Sequence, residues 1–457
     1  MMRALYSGVA GLKTHQTRMD VIGNNIANVN TTAYKSQSMT FGDLMYQTTQ
    51  AASGANETTG VGGVNARQIG LGSKTGAIKT AITTQGAAQS TNDPFDIMIT
   101  GDAFFVVSNG LENFFTRDGS FYVDGAGNLA MTSNGYNVMG WQVDPNDPST
   151  IKQDTVSALR IMTEENLTYP AQATTEARIS GILDKNDTNV QSADGKIMNM
   201  EIYDNKGYKY TVKLSLHADT PEAADQGQFY VQLDDILDEN GDSILTASDG
   251  TDLSDQVQLN GNAVGTNAAE LLFDPGDGSF VSVGGGESIE LAFTGANFPS
   301  FDNINIDFTA VSNLNNNGSS TVTPIRGDDV GNGAGRKVGE MSGVTIQKDG
   351  MIYATYDNGQ SRLLGQIAVA TFANASGLAK EGDNLYSATM NSGDFDGIGT
   401  DITAGGGYMN TGVLEMSNVD LSSEFTEMIT TQRGFQANSR IITVSDTLLE
   451  ELTNLKR

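Results

Sequence analysis

The sequence predicts a multidomain α+β protein: a terminal α-helical coiled-coil module formed by both chain ends, with nested discontinuous all-β domains between them. Two observations carry this prediction. Apolar residues recur every seven positions at both ends of the chain. Between the ends, alternating strand-type patterns are broken by Gly- and Asn-containing turns. The length of 457 residues adds a third observation, because it exceeds what one ordinary core holds.

At the N-terminus, Leu5, Leu12, Met19 and Ile26 lie seven apart. Met1 and Ile22 occupy a second position of the same seam, Val9 lies beside it, and Gly8 and His15 fill its weaker places. The stripe predicts a helix over residues 1–30, a rod of roughly 40 Å. Gly8, Gly11 and Gly23 each lower its intrinsic stability by about 1 kcal/mol relative to alanine, so the helix is marginal alone.

The C-terminal stripe is stronger. Leu421, Met428, Phe435, Ile442 and Leu449 repeat without a break, and Phe425, Ile441, Leu448, Leu452 and Leu455 widen it. No proline follows Pro324, which predicts a helix over 422–454 of about 50 Å. Asp420 or Ser422 supplies the N-cap, with Glu424 in the first turn. Lys456 and Arg457 sit where positive charge suits the helix dipole. One such stripe alone would suit an amphipathic helix on a globular core. Two, at opposite ends of one chain, point to residues 1–30 and 417–457 as partners in one module.

Residues 31–90 are rich in Gly, Ala, Thr, Ser, Asn and Gln with little apolar periodicity, and predict an extended connector or a stretch that orders on binding. Residues 91–149 turn to β pattern: Phe95, Ile97 and Ile99 alternate, and Asp118-Gly119 and Asp124-Gly125 are hairpin-turn signals. The style returns in 331–416, with Lys348-Asp349-Gly350 and Asp357-Asn358-Gly359 as turns, so the two segments form one discontinuous outer domain. Residues 150–330 read as an inserted all-β domain, one unit or one with an appendage near 235–285. Half-buried strands run through Tyr210-Val212-Leu214-Leu216, Phe229-Val231-Leu233, Ile289-Leu291-Phe293 and Ile304-Ile306-Phe308.

Composition narrows function by exclusion. There is no cysteine, which removes disulfides, Cys-ligated metals and thiol nucleophiles. With His15 and His217 as the only histidines, a His-rich metal site is excluded; His15 reads as a packing residue and His217 as a surface one. The net charge of −29 repels nucleic acid and anionic membranes. The charge lies between the ends: near-neutral tails suit packing against copies of themselves, and an acidic middle suits solvent. No apolar run is long enough to span a membrane, and the first residues do not read as a cleaved signal peptide.

Gly70 to Gly76 lacks the Gly-Lys-Ser/Thr order of a phosphate loop, and Gly331 to Arg336 has Arg336 at the third glycine position of a dinucleotide fingerprint. The acidic run 234–242 fails the calcium-loop spacing, with Ile236 at the first ligand position, and reads as a solvated turn. A carboxylate pair for glycoside hydrolysis stays open in a chain with 55 acids, although the single Trp141 gives little support to a sugar-stacking groove. The expectation is a non-enzyme with no catalytic, cofactor or metal site.

Two runs then carry a resemblance. Tyr6-Ser7-Gly8-Val9-Ala10-Gly11-Leu12 is followed by Asn24, Asn25, Ile26, Ala27, Asn28, Val29, Asn30, Thr31, Thr32, Ala33, Tyr34 and Lys35. Near the other end, Gly412 to Leu421 includes Ser417, Asn418, Val419 and Asp420, followed by Phe425 to Ile429 and by Gln432 and Arg433. Together these resemble the rod and hook axial protein family of the bacterial flagellum. One departure is Ala33, where the family usually has glycine before the aromatic residue and lysine.

The resemblance implies that both terminal helices form the innermost layer of a tube, that the connector packs between neighbouring subunits, and that the β domains build the outer shell. It implies a homopolymer of many copies forming a curved joint that passes torque from rod to filament. Rod, hook-cap and hook–filament junction proteins and the flagellar type III export apparatus are its implied partners, with neither nucleic acid nor membrane insertion. Its implied place is the hook and basal body, outside the cell, after export without signal cleavage. The long middle insert favours a hook member over a distal rod member. A secreted β-rich adhesin or polysaccharide enzyme is the reading from a different class. It would share the acidic middle but would not need two heptad ends.

Overall fold

A computed structural model describes residues 2–54, 60, 62–144, 147–246 and 250–455. Met1 of the N-terminal stripe and the dipole pair Lys456 and Arg457 lie outside the described residues. The chain divides into two compact units: Met1–Thr163 with Val344–Ala354 and Arg362–Arg457, and Glu164–Gly343 with Thr355–Ser361.

The second unit therefore starts and ends later than the expected insert, 150–330. The start is late because Asp147–Ile151 and Ser157–Ala158 both pair with Asn137–Asp144 of the first unit, and Val156, Leu159 and Ile161 are buried. The end is late because a bridge between Gln172 and Arg336 holds the chain beyond 330 in the second unit.

In the first unit the helices are α1 (Met2–Ala27) and α2 (Leu421–Asn454), and they pack against each other. Asp420 is the N-cap of α2, its carboxylate accepting from Ser422 N at 2.9 Å. Residues 31–90 are largely extended, those in 37–80 paired with themselves and Ala88–Ser90 with Val413–Glu415. Strands β1 (Gln37–Asp43), β2 (Tyr46–Gln50), β3 (Arg67–Gly70) and β4 (Ser73–Thr80) make a two-tier antiparallel arm, β1 on β4 and β2 on β3. Most arm side chains on both faces are exposed, so no apolar alternation marked these strands in the sequence. Gly70 to Gly76 spans the joint between the two tiers and the start of β4 rather than a phosphate loop: at Gly72, with φ 117°, an added Cβ would lie 3.0 Å from Ala10 Cβ of α1.

The β part of the first unit centres on Asn137–Asp144, which pairs with Phe104–Ser108 and Ser361–Ile367. Phe104–Ser108 also pairs with Asn113–Thr116, and that strand with Leu385–Ser387. Phe104, Val106, Phe115 and Tyr386 pack in one cluster. Trp141 packs with Val156 and Ala368 in another, its indole N–H donating to Asp154 O at 3.0 Å and Ile398 O at 2.9 Å. Trp141 is a core residue, not a sugar platform. Asp124-Gly125 closes the hairpin of Phe121–Val123 and Leu129–Met131. Asp118-Gly119 does not close a hairpin: Asp118 is buried, and an added Cβ on Gly119 would lie 1.7 Å from Ile97 O, so this glycine serves a close backbone approach.

The second unit has a six-stranded and a five-stranded sheet that share one hydrophobic core. Val212, Leu214 and Leu216 face that core, as do Phe229, Val231, Leu233, Ile289, Leu291, Ile304, Ile306 and Phe308. Segment 235–285 belongs to the same core through Ile236, Leu271 and Val283. Asp238 holds the acidic turn, accepting from the backbone of Asn240 and Asp242 at 2.9 Å each. His217 bonds Asn267 Oδ1 at 2.7 Å. This unit carries 30 acidic and 9 basic residues, so most of the chain's excess negative charge lies on it.

Candidate functional site

The arrangement that sets the molecule apart is the helix pair and the clasp beneath it. The helices run antiparallel: Arg18 pairs with Glu427 at 2.9 Å, and Asn25 Nδ2 donates to Glu424 Oε1 at 2.8 Å. Between them, small residues bring the backbones close. An added Cβ on Gly8 would meet Ile442 Cγ1 at 3.4 Å, one on Gly11 would meet the Asn438 amide at 2.8 Å, and one on Gly434 would meet His15 Cε1 at 2.6 Å. The His15 ring lies between Gly434 and Phe41 of β1, whose ring centroid is 5.3 Å away. Burial, then the Arg18 charge, holds the His15 pKa below its usual value, which favours the neutral ring. Burial likewise pushes the Glu424 carboxyl up.

The helix contact therefore runs along Gly8, Gly11, His15, Arg18, Ile22 and Asn25, and along Glu424, Thr431, Gly434, Asn438, Ile442 and Ser445. Leu5, Leu12, Met19 and Ile26 flank this line half-buried, and Met428 and Ile442 are likewise half-buried. Leu421, Phe425, Phe435, Leu449 and Leu452 stay exposed. Gln432 and Arg433 are also exposed; Arg433 Nη1 donates to Gln436 Oε1 of its own helix at 3.3 Å.

The motif residues of the two ends meet at the clasp. Asn28 turns back to donate to Asn24 O at 2.9 Å, ending α1 beside Ala27, and Thr31 donates to Asn28 Oδ1 at 3.1 Å. Asn25 holds the next turn, its amide donating to Gln37 O at 2.7 Å and accepting from Gln37 N at 2.9 Å. Asn418 accepts from Ser36 N at 2.8 Å and donates to Ala81 O and Thr84 O at 3.0 Å each. Ser417 Oγ accepts from Val419 N at 3.3 Å. The Tyr34 ring lies under the Lys380 ammonium at 4.8 Å.

At the centre, Lys35 Nζ donates to Glu415 Oε1 at 2.7 Å and to Thr84 O at 2.8 Å, and Gly86 N donates to the same Oε1 at 2.8 Å. The Lys35 and Glu415 side chains are 1% and 0% exposed. Arg117, equally buried, lies 4.0 Å from Glu415 Oε2 and stacks on Phe104 at 4.9 Å. Burial pushes the Lys35 pKa down although the Glu415 charge opposes it. Two buried cations thus share one carboxylate, which makes Glu415 the residue the clasp depends on. Lys35 and Asn418 stood out in the sequence. The roles of Glu415, Arg117 and Gly86 did not; an opposite charge in each terminal motif was the available signal. An added Cβ on Gly86 would lie 1.8 Å from Met416 O, so only glycine fits there.

Ala33 is buried beside this centre with φ 55°, and its N–H donates to Glu415 O at 2.7 Å. A left-handed alanine explains why glycine is usual at this place. Ala33→Gly should raise stability by up to about 1 kcal/mol, since the strain relieved exceeds the backbone entropy lost. A thermal melt that moves down instead would contradict this.

None of these groups surrounds an open cleft with a nucleophile and a base. Among the described residues, no cluster of three or more His, Asp or Glu side chains is placed to hold a metal ion. Charged and amide side chains here tie one end of the chain to the other, which defines a structural subunit built around joined termini. Comparison with known proteins agrees. Residues 5–35 match the flagella basal body rod protein family, 410–455 the C-terminal family of the flagellar basal body rod FlgEFG proteins, and 98–180 the D1 domain of the flagellar hook protein FlgE/F/G. The chain is 35% identical over 485 residues to the flagellar hook protein FlgE of Treponema pallidum, covering 100% of both chains. It is 35% identical over 488 residues to that of Borreliella burgdorferi, again covering 100% of both. The flagellar basal-body rod protein FlgG of Bacillus subtilis is 28% identical over 457 residues, with 100% of both covered. The chain belongs to the flagellar hook protein family, and its role is that of a structural subunit of the hook.

Proposed function

We propose that this subunit polymerises through its two terminal helices into a curved helical tube that passes torque from rod to filament. The observation that carries this is the apolar surface left over on the helix pair: Phe425, Ile429 and Val444 are 49%, 59% and 57% exposed, and Met2, Tyr6 and Val9 are exposed on α1. A water-soluble subunit does not leave such a stripe open unless something covers it. Leu5, Leu12, Met19 and Ile26, with Leu421, Phe425, Met428, Phe435, Leu449 and Leu452, form the seam closed by neighbouring copies; Ile22, 2% exposed within the single chain, and Ile442 of the sequence-predicted seam are instead taken up by the contact between the two helices. Contacts related by one rotation and rise produce a filament rather than a closed ring.

The acidic second unit suits an outer, solvated position. Rod, cap and hook–filament junction proteins are the partners at the tube's ends. Marginal helices suit passage, unfolded, through the flagellar type III export apparatus without signal cleavage, followed by folding outside the cell against neighbours. Deleting residues 421–457 tests the reading: electron microscopy should show no tubes while Trp141 fluorescence reports a folded β core. Tubes from the truncated chain would refute it.

A further inference from the structure

The loop Gly331-Asn332-Gly333-Ala334-Gly335-Arg336 alternates the hand of its backbone. Gly331, Gly333 and Gly335 have φ of 94°, 68° and 65°, while Asn332 and Ala334 stay at negative φ. Such alternation turns successive N–H groups toward one side and makes a concave nest for anions. The first half of the loop already holds one: Val330 N and Asn332 N donate to Asp328 Oδ1 at 2.9 and 2.8 Å. In the second half, the N–H groups of Gly333, Ala334 and Gly335 find no partner among the described residues. Their carbonyls are fixed elsewhere. Gly333 O accepts from Thr175 N at 2.9 Å and Glu176 N at 3.1 Å, and Ala334 O from Thr174 Oγ1 at 3.3 Å. An added Cβ on Gly333 would lie 2.6 Å from Glu176 Cγ, so the loop is wedged in place. Donors held in this way need little reordering on binding.

The loop lines a cavity of about 390 Å³ together with Gln172 and Gln360, wholly within the second unit. That unit has 30 acids against 9 bases, yet no Asp or Glu lines the cavity. Its one cation is Arg336. The guanidinium donates to Gln172 Oε1, stacks on the Tyr169 ring at 5.0 Å and pairs with no carboxylate among the described residues. We infer that this cavity binds a phosphate group. The phosphate oxygens accept from the three loop N–H groups and from Arg336, a planar donor suited to such an oxyanion. The cavity has room beside the phosphate for a hydroxylated group, which the Gln172, Asn332 and Gln360 amides would meet. The unit's overall negative charge gives no long-range attraction. It is screened beyond about 8 Å at physiological salt, so affinity comes from the short-range donors. The inference is independent of the hook reading.

The test is calorimetric titration of the full chain, at physiological salt, with inorganic phosphate, glucose 6-phosphate and glucose. Saturable binding of the phosphates and none of glucose is expected. Equal affinity for the two phosphates would make free phosphate the ligand, and tighter binding of glucose 6-phosphate a phosphorylated sugar; both support the site. Two variants separate the donors. Arg336→Gln removes the charge, and Ala334→Pro removes one loop N–H while keeping Arg336. Each should weaken phosphate binding about tenfold or more. Hydrogen-exchange protection around Phe229 checks that the unit still folds. Should Ala334→Pro fail that check, Arg336→Gln alone decides. No saturable phosphate binding by the wild-type chain would overturn the inference. So would glucose binding as tightly as its phosphate, or wild-type affinity in either folded variant.

Discussion

Glu415→Gln lowers the stability of the first unit by about 3–5 kcal/mol, because it strands two buried cations. The amide keeps the size and an acceptor for Gly86 N, so packing loss contributes little. What disappears is the carboxylate that ion-pairs with both Lys35 Nζ and Arg117 inside the clasp, leaving only the more distant Asp102 charge to oppose theirs. Arg117 is already under-satisfied, its Nε and Nη2 finding no hydrogen-bond partner among the described residues. The measurement is a denaturant midpoint read from Trp141, the single tryptophan, which lies in the core of the same unit. Replacing Lys35 and Glu415 together with Met and Leu should recover part of the loss, since a buried pair exchanged for apolar side chains is often near neutral. A Glu415→Gln midpoint within about 0.5 kcal/mol of the wild type would show that the clasp is not held by charge.

Gly434→Val strongly weakens assembly while leaving the Trp141-reported stability near that of the wild type. The valine Cβ would sit 2.6 Å from His15 Cε1 and 2.7 Å from Nε2. The ring cannot simply retreat, because Phe41 stands on its other side. The helices must separate, and every contact along the pair weakens with them. Critical concentration, measured by sedimentation of polymer, should rise by well over tenfold, the equivalent of more than about 1.4 kcal/mol. Gly23→Ala is the matched control. Nothing lies within 4 Å of its added Cβ, so it should strengthen α1 by up to about 1 kcal/mol. Normal tubes from Gly434→Val would mean that the close approach of the helices has no part in assembly.

These two glycines show where sequence reading stops. Gly8, Gly11 and Gly23 look alike as helix-weakening residues, yet only the first two lie at the helix contact. Heptad spacing placed both long helices, and it marked the strongest apolar positions. It did not show that the intrachain contact runs through glycine, histidine and asparagine beside them, because small and polar residues leave no hydrophobic signal. Alternation found the strands of the second unit, where one face is wet and one dry. It missed the arm, where both faces are wet. In the clasp, Lys35 and Asn418 were legible from the terminal motifs, and the pairing with Glu415 was not, because burial of opposite charges 380 positions apart is a tertiary fact.

The central claim is that the terminal helices are completed only by neighbouring copies. Hydrogen exchange on the full chain, compared between dilute monomer and assembled tube, tests it most directly. Amides of residues 2–27 and 421–454 should exchange rapidly in the monomer, while the β cores around Trp141 and Phe229 are protected, and should become protected on assembly. Strong protection of both helices in the dilute monomer, unchanged by polymerisation, would contradict the account.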